Sequence, residues 1–66
     1  MTCPLTPRQL ECVTLLADGK STKLIADILG ISTHTVTVYL KICRDRAGVS
    51  KETALVAKAL REGWIQ

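Results

Sequence analysis

The feature that most restricts what this chain can become is a two-residue connection. Residues 21–48, STKLIADILGISTHTVTVYLKICRDRAG, read as two helices with Gly30 between them. Ser21 and Ser32 stand where a hydroxyl can accept a free backbone N–H of an opening turn. Gly30 stands where the first helix must stop, and the left-handed conformation needed there costs glycine nothing. Only Ile31 and Ser32 then separate Gly30 from the second helix. A link that short makes the helices cross steeply, which is the helix-turn-helix arrangement. Ala26 permits close approach at the crossing. Ile25, Leu29, Ile31, Val36 and Tyr39 are expected to supply the apolar contacts between the two helices.

The flanking segments also read as helices. In Leu5-Thr6-Pro7-Arg8-Gln9-Leu10, Thr6 can cap, Gln9 can return the bond, and Pro7 suits the first helical position. Leu5 and Leu10 occupy the positions of a hydrophobic staple. Leu10, Val13, Leu16 and Ala17 are expected to face the core, and Gly19 to end this helix after Asp18. Gly48 closes the third helix, with Val49 tucking back beneath it. Ser50 is expected to cap a fourth helix, roughly Lys51 to Glu62, ended by Gly63 and followed by an apolar tail, Trp64-Ile65. Leu55, Val56, Ala59 and Leu60 form its inward stripe. The pattern predicts an all-α, compact four-helix domain over residues 1–66.

Charge narrows the functional classes. Residues 1–30 balance Arg8, Lys20 and Lys23 against Glu11, Asp18 and Asp27, and residues 52–66 balance Lys58 and Arg61 against Glu52 and Glu62. The whole net charge of +3 lies in 31–51, where Lys41, Arg44, Arg46 and Lys51 face only Asp45. A basic excess confined to one helix and its exit is the footprint of phosphate binding, although a solvated helix face carries such a run too. No apolar run approaches the roughly 20 residues that span a bilayer, and the N-terminus lacks a signal-peptide pattern. A cytoplasmic location without membrane association is therefore expected. Cys3, Cys12 and Cys43 have no close-spaced partner and there is one histidine, so neither a metal nor a cofactor is expected. Cys12 and Cys43 read as small apolar residues on helix faces, with a redox role as the alternative. No nucleophile–base pair or carboxylate cluster points to an enzyme.

At about 100° per residue the third helix divides into two faces. Val36, Leu40, Cys43 and Ala47 fall on one side with Tyr39 at its edge. His34, Thr37, Val38, Lys41 and Asp45 fall opposite, flanked by Ile42 and Arg44. This second face is suited to the major groove of DNA. Val38 and Ile42 are apolar where a solvated helix prefers polar groups; contact with thymine methyl groups would account for them, as would ordinary surface scatter. His34 is a candidate phosphate contact, a solvated histidine being the alternative. On the fourth helix, Ala54 and Ala57 lie opposite the inward stripe beside Arg61. There they would let a second helix approach, or serve simply as good helix formers.

In register from Leu5 to Ile65, the chain carries LTPR at its start, LLADG at the end of helix one and IADILGIS across the turn. It also carries TV in the third helix and GV before the fourth. Together these resemble the LuxR-type DNA-binding domain, found at the C-terminus of NarL-like response regulators and alone in GerE-like proteins. The resemblance implies a four-helix fold that dimerises through its last helix and binds two half-sites; the outward side of that helix, at Ala54, Ala57 and Arg61, is then the expected contact. It implies base contacts from Thr37, Val38 and Lys41, and places Thr22, Lys23, Thr35 and Lys51 near phosphates. Thr33, His34 and Arg44 complete the expected DNA-binding set. The family commonly has lysine where this chain has Thr37, so affinity or base preference should differ from relatives. Tyr39 replaces a frequent histidine, and Arg44 a frequent aromatic residue.

The sequence thus predicts a small stand-alone transcriptional regulator that binds double-stranded DNA specifically as a homodimer, with its third helix in the major groove. The rival is a protein-interaction module that meets a larger regulator or RNA polymerase through helix four and the C-terminal tail. The basic outward face around Lys41 discriminates between them, since a pure adaptor does not require it.

Overall fold

Three of the four helix starts are fixed by hydroxyl caps. The computed structural model describes residues 3–66; Met1 and Thr2 of the expected domain lie outside the described residues. Helix α1 (Pro7–Ala17) opens on a full capping box: Thr6 Oγ1 accepts from the Gln9 N–H at 3.2 Å, and Gln9 Oε1 accepts from the Thr6 N–H at 3.0 Å. Helix α2 (Thr22–Leu29) is capped by Ser21, which accepts from the Leu24 N–H at 3.2 Å, and α3 (Thr33–Ala47) by Ser32, which accepts from the Thr35 N–H at 3.0 Å. Between them Gly30 adopts φ +69°, and the Ile31 N–H folds back to the Ala26 carbonyl at 3.0 Å. The tight turn is the one the spacing predicted.

Helix α4 (Glu52–Arg61) departs from expectation. Its N-cap is Lys51, not Ser50, and no side chain caps it. The ammonium of lysine has only donors, so it cannot accept the orphan N–H groups of the first turn. The start falls one residue late because Val49 is anchored first, its N–H bonded to the Arg44 carbonyl at 3.0 Å and its side chain packed on the core. Gly63 ends the helix at positive φ, as expected.

The core is a single cluster to which every helix contributes: Cys12 and Val13 from α1, Ile25 and Ala26 from α2, Val36, Leu40, Cys43 and Ala47 from α3, Leu55 and Ala59 from α4. Leu5 and Ile65 close it from the two ends of the chain. Helix α3 runs through the middle and packs on the other three. All four residues assigned to its inward face are buried, with Tyr39 half-buried at the edge. Both buried cysteines are free, and burial raises their pKa values, Cys43 to about 11. They remain protonated thiols at neutral pH and pack as small apolar groups.

Two expectations about the core need correction. Ala17 is exposed: it lines a shallow groove with Leu16, Glu52, Thr53 and Val56. Leu60 is 49% exposed. It lies about 140° around the helix from Leu55, at about 100° per residue, and misses the core that Leu55 and Ala59 fill. The apolar Trp64-Ile65 tail folds back: the Trp64 N–H bonds to the Ala59 carbonyl at 2.8 Å, Ile65 is buried and Trp64 half-buried against the core.

Candidate nucleic-acid interface

Helix α3 presents its second face to solvent over most of its length. Thr33, His34, Thr37, Val38, Lys41 and Asp45 are all exposed, and Ile42 and Arg44 flank them half-buried. The hydroxyl groups on this surface are already oriented. Thr37 donates its hydroxyl proton to the Thr33 carbonyl at 3.1 Å, which leaves its oxygen lone pairs and methyl group facing outward. Thr35 is half-buried, its hydroxyl 2.8 Å from that of Ser32, so it braces the cap as much as it faces solvent. Lys41 extends from the middle of the face and meets Asp45 one turn on, Nζ to Oδ2 at 3.3 Å.

The remaining expected DNA contacts lie around this helix. Thr22 and Lys23 open α2, the first half-buried and the second exposed. Lys51 sits exposed just beyond the C-terminus of α3, at the start of α4. Arg44 turns away: its guanidinium lies 3.7 Å from the Glu52 carboxylate, and its side chain is only 22% exposed. It ties α3 to the first turn of α4. On the outside of α4, Ala57 and Arg61 are exposed while Ala54 is half-buried, and Leu60 joins them as an exposed apolar residue.

Two clamps that sequence reasoning missed hold α2 and α3 in place. Arg8, braced by Glu11 at 3.1 Å, donates to the Leu29 carbonyl at 2.7 Å and so caps the C-terminus of α2. Lys58 donates to the Ala47 carbonyl at 2.6 Å and caps the C-terminus of α3. A cation on the last carbonyls of a helix satisfies an orphan acceptor and complements the helix dipole. These partners are 21 and 11 residues apart, so no local pattern announces them. Among the described residues no group of three or more His, Cys, Asp or Glu side chains could hold a metal, and no helix is long and apolar enough to cross a membrane.

The same architecture occurs in solved structures. A transcription factor, GerE, superposes with a TM-score of 0.89 over 94% of this chain and 92% of that one, at 34% sequence identity. The model of the bacterial regulatory proteins of the luxR family matches residues 3–59. The chain belongs to this luxR family. Among curated relatives, the transcriptional regulatory protein DesR of Bacillus subtilis is 35% identical over 63 residues, covering 96% of this chain and 32% of its own length. The quorum sensing-dependent transcriptional regulator VjbR of Brucella ovis is 41% identical over 61 residues, 92% of this chain and 24% of that protein. The transcriptional activator protein ExaE of Pseudomonas putida is 39% identical over 62 residues, 94% of this chain and 29% of that protein. The chain spans about a quarter to a third of the length of these curated relatives.

Proposed function

We propose that this luxR-family domain binds double-stranded DNA sequence-specifically as a homodimer, with α3 in the major groove, and so regulates transcription in the cytoplasm. The observation that carries the reading is the outward face of α3. Exposed hydroxyl, imidazole and ammonium groups line one side of a helix whose other side is buried and whose two ends are capped. A rigid helix presenting base-compatible groups is what direct readout of the major groove requires. Thr37, Val38 and Lys41 stand at its centre for base contacts. Thr33, His34 and Thr35 occupy its first turn, where the helix dipole favours phosphate. Thr22 and Lys23 at the start of α2, with Lys51 and Arg44 beyond, supply flanking phosphate contacts; Arg44 must first exchange its carboxylate partner Glu52 for one.

The dimer contact is placed on the outer side of α4, at Ala54, Ala57 and Arg61, with exposed Leu60 adding apolar area beside them. A two-fold pair of such domains reads inverted half-sites about one DNA turn, roughly 34–36 Å, apart. The rival reading, docking on a larger regulator or RNA polymerase through α4 and the tail, is less favoured because Ile65 already lies in the core.

Selection of bound duplexes from a randomised pool tests the proposal. Enrichment of an inverted repeat is expected, and recovery of no preferred sequence would refute it. Lys41→Ala should then weaken the selected site by about 1–3 kcal/mol if the lysine reads a base. Thr37→Lys should strengthen random-duplex binding and steepen its salt dependence by about one unit. Ala57→Glu should leave the fold intact and lower self-association in analytical ultracentrifugation.

A further inference from the structure

Asp45 is the one acidic residue in the basic segment 31–51, and it stands on the outward face of α3. Helix stability does not account for it. It lies in the last turn, where the dipole disfavours an anion. The pair also runs lysine before acid, the less favourable order at this spacing. Both side chains are about two-thirds exposed, 69% for Lys41 and 66% for Asp45, so as an ion pair they stabilise the fold little. An acid here also opposes attraction to phosphates. The other cations of the helix are engaged elsewhere: Arg44 with Glu52 at 3.7 Å, and Arg46 with the Pro4 carbonyl at 3.3 Å. Lys41 is the cation whose partner lies on the outward face itself.

We propose that Asp45 is a specificity-determining residue of this face, which holds the Lys41 ammonium off the phosphate backbone and directs it to a guanine edge. The inference rests on the DNA-binding reading above. An ammonium has three N–H donors, and one used on Asp45 leaves two. Guanine offers two adjacent acceptors, O6 and N7, in the major groove. A free lysine follows any phosphate and binds all sequences alike; one paired at 3.3 Å with the next turn has its charge partly offset and is biased toward the groove, where a base acceptor can complete its shell. Asp45 therefore weakens binding to random DNA more than it weakens binding to the cognate site. It is a positioning residue, acting through Lys41.

The test compares wild type, Asp45→Asn, Lys41→Gln and the double variant on a selected duplex and on its scrambled counterpart over a salt series. Circular dichroism verifies that each variant is folded. Asp45→Asn should tighten binding to the scrambled duplex about fivefold per subunit at roughly 0.15 M salt and steepen its salt slope by about one. Its gain on the selected duplex should be smaller, so the ratio of the two affinities falls. In the Lys41→Gln background the same change should leave that ratio nearly constant, a coupling that a merely structural role would not produce. Equal tightening on both duplexes, indifferent to Lys41→Gln, would overturn the proposal and reduce Asp45 to a general repulsive charge. An unchanged slope and ratio would overturn it as well. Failure of the wild type to bind any duplex is a separate result, seen before any variant is compared, and it would overturn the DNA-binding reading and this inference together.

Discussion

The α2–turn–α3 unit and helix α4 are held in place by different forces. The first is pinned at each helix end by a specific hydrogen bond: Ser21 and Ser32 at the starts, Arg8 on Leu29 and Lys58 on Ala47 at the ends, and Gly30 in the turn. Helix α4 has no side-chain cap at its start; it buries Leu55 and Ala59 and shares with α3 the Lys58–Ala47 bond and the Arg44–Glu52 pair. Directional bonds restrict both distance and angle. The driving force for burial is non-directional, and orientation then follows from how the buried side chains interlock. The difference lies at the helix starts: α2 and α3 each open on a serine cap, whereas α4 opens without one.

The sharpest way to break this contrast is to remove what holds α4. Leu55 is completely buried, so Leu55→Ala should lower unfolding free energy by about 2–5 kcal/mol, through lost transfer energy and a residual cavity. Urea denaturation would measure it. A loss below about 1 kcal/mol would mean that α4 is held by something other than its buried stripe. Next is Gly30→Ala, where a Cβ meets no atom within 4 Å, so only the positive φ is at stake. A cost of about 1–2 kcal/mol is expected from the strain of a left-handed alanine. With stability restored by a stabilising co-solvent, DNA affinity should recover if the turn angle is unchanged.

Ser32→Ala should remove about 1 kcal/mol by deleting the α3 cap, and should also loosen Thr35, whose hydroxyl shares that oxygen. In thermal unfolding this amounts to roughly 4–8 °C for a domain of this size. The smallest change goes the other way. Lys51→Ser installs an acceptor at the uncapped start of α4 and should raise stability by about 0.5–1 kcal/mol. It should simultaneously lower DNA affinity, if Lys51 contacts phosphate, and flatten the salt slope by about one unit. A stability gain without an affinity loss would remove Lys51 from the interface.

Much of this molecule was legible in its residues because the decisive interactions there are local. Caps at Thr6, Ser21 and Ser32, the glycine turn at 30 and the inward face of α3 each involve groups within four or five residues of one another. Chain order alone displays such groups, and the 3.6-residue period sorts the faces. The exposed surface from Thr33 to Asp45 follows from the same periodicity, because once Val36, Leu40, Cys43 and Ala47 turn inward the opposite side has nowhere to go but out.

Tertiary structure decided the rest. Which residue occupies the cap of α4, why Leu60 faces outward while Ile65 turns in, and why Ala17 at the end of α1 is exposed all depend on where neighbouring helices end in space. The clamps of Arg8 on Leu29, Lys58 on Ala47 and Arg44 on Glu52 join different elements of the fold. Their geometry exists only after the helices have packed. A long cationic side chain can reach many acceptors, and only the folded arrangement selects one. Sequence alone thus determined which face of α3 is offered, while packing determined which of its cations, Lys41 and not Arg44, remains on that face.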